Sequence, residues 1–173
     1  MSLQPEQALG LLQMFLPTLR MEHTTTLRVI EAIPVDKGDY RPDAISMTAL
    51  ELAWHIVATE RRFLMAIAAG EFDLSPFPRP EKIATSAELS KWYAESFAEN
   101  VAKLEKITGE PAAKIIDFRG FLQLPAVAFL QFSMGHAIHH RGQLSMYLRP
   151  MGAKVPAIYG ESYDSKQAKQ AGA

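Results

Sequence analysis

At 173 residues the chain has the length of one domain, and 48% hydrophobic against 21% charged residues is enough to build a sizeable globular core. A formal net charge of −1, with the 18 Lys and Arg scattered, gives no support to a nucleic-acid partner, which would show as a basic excess or stripe. There is no cysteine, which excludes disulfides, thiolate metal sites and a cysteine nucleophile, so any bound metal must take nitrogen and oxygen ligands.

The N-terminal stretch MSLQPEQALGLLQMFLP has neither the basic flank nor the long apolar run of a signal peptide. No segment approaches the roughly 18 to 20 apolar residues of a spanning helix, so a cytoplasmic protein without a membrane partner is expected. The first helical segment runs from about Gln4 to Ala32, and Pro17 is expected to divide it into a short leading helix and a longer one, because proline has no amide hydrogen to donate. The polar loop VDKGDYRPD follows. Thr48 and Glu51 then fit the spacing of a capping box, predicting a second helix from there to about Ala69, with Gly70 as its stop. The loop EFDLSPFPRPEK holds three prolines and two phenylalanines in twelve residues, a composition that shapes or covers sites. A second capping box, Thr85 with Glu88, opens a third helix expected to end at Gly109. The segment PAAKIIDFRGFLQL is read as irregular or briefly extended, and a fourth helix is predicted from Pro125 to about Met151 with Gly152 as its stop. KVPAIYG is apolar enough to pack back, whereas the last ten residues, DSKQAKQAGA, read as frayed or disordered. The expected architecture is all-α: a four-helix bundle with a short extra N-terminal helix, one domain over residues 1–160 and a flexible tail over 161–173.

Three of the five histidines lie in GHAIHHRGQLSMYL on the fourth helix. Residues four apart are separated by only about 40° around a helix, so His136 and His140 can grip one ion. Projection places Phe129, Phe132, Leu144 and Tyr147 near the direction of that pair, with Ser133 and Gln143 beside them. His139 falls toward the edge, and Arg141, Ser145 and Arg149 point away. The face with the His pair is therefore expected to enter the bundle. A metal ion would satisfy the ring nitrogens there, although two core histidines bonded to neighbours explain the spacing equally well. A third ligand must come from another helix. His55, in ELAWHIVATE, is the best-placed candidate but sits on the flank of its helix's apolar stripe; Glu51, one turn away, could orient its ring or bind directly. His23, in MEHTTTL, reads as a surface residue. A di-iron bundle is set aside because no Glu-x-x-His occurs, and the HExxH protease signature is absent too. Trp54 and Trp92 read as core or interface, Arg141 as half of a structural salt bridge, Tyr147 and Gln143 as possible ligand contacts, and Met134, Ile138 and Gly142 as a helix or dimer contact.

ELAWHIVATE, HAIHHRGQL and LRPMGAKVPAIYG together make the chain resemble the DinB/YfiT-like family of metal-dependent enzymes, from about Pro17 to Gly160. Its most specific element is HxxxHRGQ followed by LRxxG; the second-helix histidine with a following Glu, here Glu60, is looser. The resemblance implies a four-helix bundle whose metal ligands are His55, His136 and His140, carrying a divalent ion, nickel or zinc, and forming a homodimer. It also implies a small-molecule substrate and, in some relatives, a low-molecular-weight thiol as cosubstrate of an S-transferase. A metal-dependent hydrolase and a non-enzymatic, metal-stabilised stress-related binding protein are the alternative readings.

Overall fold

The computed structural model describes residues 2–171 and contains helices α1 (Pro5–Glu31), α2 (Ala49–Ala69), α3 (Ser86–Leu104), α4 (Gly109–Ala113), α5 (Phe129–Leu148) and α6 (Tyr163–Ala171). A two-stranded antiparallel hairpin, β1 (Ile115–Phe118) and β2 (Leu122–Pro125), pairs Ile116 with Leu124 ahead of α5. The four long helices form the bundle: α2 packs on α3 and α5, and α1 packs on the same two neighbours from the other side. Among the described residues, no helix is long and apolar enough to cross a membrane.

Both capping boxes form. The Thr48 side chain accepts from the Glu51 amide (3.2 Å) while Glu51 accepts from the Thr48 amide (2.8 Å), and Thr85 and Glu88 repeat the exchange. Gly70 ends α2 in the left-handed region at φ 74°, as a helix stop of this type requires. Other boundaries differ from the expectation. Helix α1 is unbroken through Pro17. Pro17 and Gln13, whose carbonyl loses its helical partner, are both exposed, so water can take the bond and the helix continues. Helix α3 stops at Leu104, and Gly109 instead opens the short α4. There a Cβ would lie 2.4 Å from the Pro5 carbonyl oxygen, so the close approach of α4 to the start of α1 needs a residue without a side chain.

The segment expected to be frayed forms α6. Ser162 Oγ accepts from the Ser165 amide (2.9 Å), and Asp164 Oδ2 accepts from Arg149 (3.1 Å) and from the Val155 amide (2.9 Å), anchoring the helix although it buries no residue. The tail's last two residues, 172 and 173, lie outside the described residues.

Two apolar clusters fill the bundle. One gathers Leu12, Leu19, Phe63, Ile67, Phe97, Val101 and Phe129; the other gathers Val29, Ile30, Ile56, Val57, Leu89, Leu144 and Leu148. Along α1, α2 and α3 the chain passes from one to the other through buried polar residues: Glu22, His23 and Thr26, then Glu60, then Ser96. Arg141 of α5 enters this layer and is 1% exposed, so the residue expected to point away is in fact the largest fully buried side chain. It meets Glu22 Oε2 at 2.7 Å and donates to Thr26 Oγ1 (3.2 Å) and to the Tyr159 hydroxyl (2.6 Å). Tyr159, from the segment after α5, donates in turn to Glu22 (2.9 Å). The expected salt bridge exists, but buried between α1 and α5 rather than on the surface, and a bonded buried pair specifies one packing more than it adds stability.

Removing one partner strands the other charge in the core. Arg141→Met should therefore cost about 3 to 5 kcal/mol in chemical denaturation, whereas the double change Glu22→Leu/Arg141→Met should recover most of that loss. Equal losses in the single and double variants would contradict this account.

Candidate metal centre

His55 stands in the second turn of α2, and His136 and His140 stand one turn apart on α5, the helix packed against it. All three rings are half-buried, and each offers a nitrogen to a common point, with the three ligand atoms within 4.8 Å of one another. His136 Nε2 lies 2.9 Å from His55 Nε2, which lies 3.2 Å from His140 Nε2. Nitrogens bound tetrahedrally at about 2.0 to 2.1 Å from a zinc-sized ion sit about 3.3 Å apart, so the spacing fits a single ion.

Proton accounting supports the same fit. His140 Nδ1 lies 2.7 Å from Gln143 Oε1, which can only accept, so this nitrogen carries the ring's hydrogen and Nε2 presents a lone pair. His55 Nε2 has at most one hydrogen, and it cannot serve both neighbours. Among neutral rings at least one of the two close contacts then lacks a hydrogen of its own, which a shared cation would cure. Protonation of His55 or His136 is disfavoured. Burial, and then the neighbouring His140, His55 and His139, push the His136 ring down to about 4, and burial with His140 beside it lowers His55 as well. These two rings are neutral at neutral pH, the state in which imidazole binds metal.

The face assignment on α5 needs correction. The buried stripe runs through Phe129, Leu130, Ser133, Met134, Ala137, Arg141, Leu144 and Leu148, so Phe129, Ser133 and Leu144 are buried as expected, while Phe132 is 46% exposed. His136 and His140 lie on the edge of that stripe, against α2, rather than at its centre. The expected surface residue His23 is instead buried, its ring stacked on Phe97 (3.6 Å between centroids, 10° between planes) and its Nδ1 3.9 Å from Glu60. Glu60 receives the Tyr93 hydroxyl at 2.9 Å, so the glutamate noted after His55 serves the interior layer rather than the histidine cluster. Glu51 is spent on its cap, and Tyr147 packs edge-on to Tyr40 at 5.8 Å; only Gln143, of the three possible accessory residues, touches the cluster. His139 is exposed and lies outside the converging group.

Outside His55 opens a cleft of about 750 Å³, lined among others by Met47, Trp54, Thr59, Arg62, Phe77 and Arg79. That size suits a small organic ligand. The proline-rich loop supplies Phe77 and Arg79, as its composition suggested for a site-shaping segment. Arg79 was not singled out in the sequence, since a lone arginine between prolines carries no periodic signal.

These features define a helical bundle with a three-histidine cluster between two helices at the mouth of a cleft. The sequence pattern of the DinB family matches residues 8–171. The chain is 36% identical over 131 residues to the Bacillus subtilis (strain 168) protein YjoA, covering 73% of this chain and 82% of that one. To YrdA of the same organism it is 28% identical over 151 residues, covering 84% and 86%. The crystal structure of the DinB-like YjoA superposes with a TM-score of 0.69 at 28% identity, covering 86% of this chain and 99% of that one. A DinB-like protein from Bacillus cereus ATCC 10987 gives 0.71 at 24% identity over 84% and 95% of the two chains, a likeness of fold. The chain belongs to the DinB family.

Because Gln143 fixes the His140 tautomer, Gln143→Leu should weaken divalent-metal affinity about 10- to 100-fold while leaving the circular dichroism spectrum unchanged. Unchanged affinity in a calorimetric titration would remove Gln143 from the site.

Proposed function

We propose that the protein is a metal-dependent enzyme in which His55, His136 and His140 hold one divalent ion, nickel or zinc, beside a small-molecule cleft. The observation that carries this reading is the convergence of three imidazole nitrogens, 2.9 and 3.2 Å apart, which two N–H groups cannot reconcile. Three protein ligands are the number associated with sites that leave a position open for a reactant. When bound, such an ion supplies Lewis acidity, favouring the deprotonated form of a group that reaches it. The chain's own residues prepare the place. Neutral imidazoles bring no negative charge to offset that of an ion, Gln143 keeps one lone pair aimed inward, and Trp54 and Phe77 form an apolar wall.

The reaction we assign is transfer to sulfur: a low-molecular-weight thiol gives its proton to solvent, its sulfur forms a bond to an electrophilic carbon, and the carbon's bond to the leaving group breaks as that group departs with the bonding pair. Since the chain has no cysteine, the sulfur must come with the cosubstrate.

The decisive measurement is elemental analysis of the purified protein with turnover assays on the metal-loaded form. About one divalent ion per chain is expected, lost in His55→Ala and in His140→Ala. Chelation should lower the melting temperature by about 5 to 10 °C relative to that at saturating metal. A protein that takes up no nickel or zinc would end the proposal. Turnover by water without thiol would reassign the enzyme to hydrolysis, and a filled site inert to both would reduce it to metal binding.

We further propose that the protein works as a homodimer. Met14 (59% exposed) and Ile138 (37% exposed) border a shallow depression between α1 and α5 with Phe15, Met134 and Gly135, an apolar face that a second copy would cover. Sedimentation should give a dimer in the wild type and a monomer in Ile138→Glu; a monomeric wild type at micromolar concentration would refute it.

A further inference from the structure

We propose that the cleft beside His55 is built for an amphipathic organic anion, an apolar body ending in a carboxylate, whose charge is received by Arg79. This deepens the metal-enzyme reading by naming a substrate class for the same site, and its link to the three histidines rests on that reading.

The cleft is lined by two guanidinium groups, Arg62 and Arg79, and a third, Arg61, lies over the Phe77 ring at 4.5 Å. Arg62 is engaged, donating to the Ser75 carbonyl at 2.8 Å. Arg79 is not. Its Nη1 is shut off from solvent and has no hydrogen-bond partner among the described residues, a costly state for a cationic donor. Among the described residues, no carboxylate stands within 4.0 Å of any of the three. The acids nearby are Glu51 and Asp73, whose carboxylates are occupied by the Thr48 amide (2.8 Å) and the Ser75 amide (2.9 Å). Glu51 also lines the cleft, and it and Asp73 offset part of the charge through Arg79 and through Arg61 and Arg62. Three guanidiniums against two carboxylates still leave a net positive charge at the wall, and a carboxylate is the planar anion that a guanidinium fork matches.

The rest of the lining sets the body of the ligand. Trp54 and Phe77 face each other at 5.4 Å with Trp92 behind Trp54 at 5.0 Å, while Ile45 (97% exposed) and Met47 (46% exposed) form an apolar lip. Such a surface rewards an aryl or alkyl group and gives free phosphate nothing to cover.

Of the chain's two tryptophans, Trp54 lines the cleft and Trp92 packs directly behind it, so selectively excited tryptophan fluorescence reports on this wall. Metal-loaded and metal-stripped protein should be titrated with 4-phenylbutyrate and with its neutral isostere 4-phenylbutyramide, with metal content measured in parallel. The carboxylate should bind about tenfold more tightly than the amide. That preference should shrink below about twofold in Arg79→Gln, persist in part in Arg79→Lys, and be untouched in the remote control Arg20→Gln. Equal binding of acid and amide, no binding of either, a preference surviving Arg79→Gln, or displacement of the acid by equimolar inorganic phosphate would each overturn the assignment. Carboxylate selectivity in a protein that takes up no metal would uphold the anion site while removing the enzyme reading; a loaded metal site without selectivity would do the reverse.

Discussion

Three ring nitrogens at one point form an arrangement that no helix would choose alone. Imidazoles brought to 2.9 and 3.2 Å compete for hydrogens that cannot serve every contact, and two of the rings resist protonation. What holds them together is the packing of α2 on α5, which sets His55 opposite the gap between His136 and His140. That register is a property of the whole bundle, and a slip of one turn, about 5.4 Å, would dissolve the cluster. The site's geometry is therefore a readout of how well the bundle fixes two helices against each other.

The polar layer inside the bundle performs that fixing. A core made only of Leu, Ile and Phe tolerates small rotations and slides, because apolar contacts are not directional. Arg141 lies immediately after His140 on α5, and its guanidinium reaches Glu22 and Thr26 of α1 and the Tyr159 hydroxyl beyond α5. Rotating α5 to move His140 would break these bonds inside the core, where an unpaired charge is expensive. Neighbouring residues thus divide the labour: His140 joins the histidine cluster, and Arg141 locks the angle at which it does so.

How much of this was legible follows from which signals are local. Thr48 with Glu51, Thr85 with Glu88, and Gly70 are capping chemistry decided within one turn, and each took the expected form. The four-residue spacing of His136 and His140, with His55 as the resemblance assigned it, pointed to side chains that the fold does bring together. Projection of a single helix, in contrast, cannot reveal what stands opposite each face. Projection turns Arg141 away from the histidine face, and the threonines around His23 suggest a surface; Arg141 is buried because Glu22 and Thr26 of α1 receive it, and His23 because Tyr93 and Phe97 of α3 cover its ring. Pro17 was read as a break because its solvent-facing position, which makes it tolerable, belongs to the tertiary structure. Helix α6 escaped because its anchors, Arg149 and the Val155 amide, are contacts outside its own helical periodicity.

The same logic ties the anion site to the metal site. A carboxylate-rich centre would neutralise its own ion and repel an anionic ligand, so arginines at its mouth would have little to gain. On the metal-enzyme reading proposed above, a centre of neutral imidazoles would leave an ion's positive charge in place, and guanidinium groups at the adjoining wall would extend that potential outward over an aromatic surface. An incoming anion would meet a net positive wall at Arg62 and Arg79, with Glu51 on the same lining to steer it away from the start of α2. Arg79, whose Nη1 makes no hydrogen bond among the described residues, and an uncharged donor set beside the cleft would thus favour a ligand of the same sign, each on its own observation.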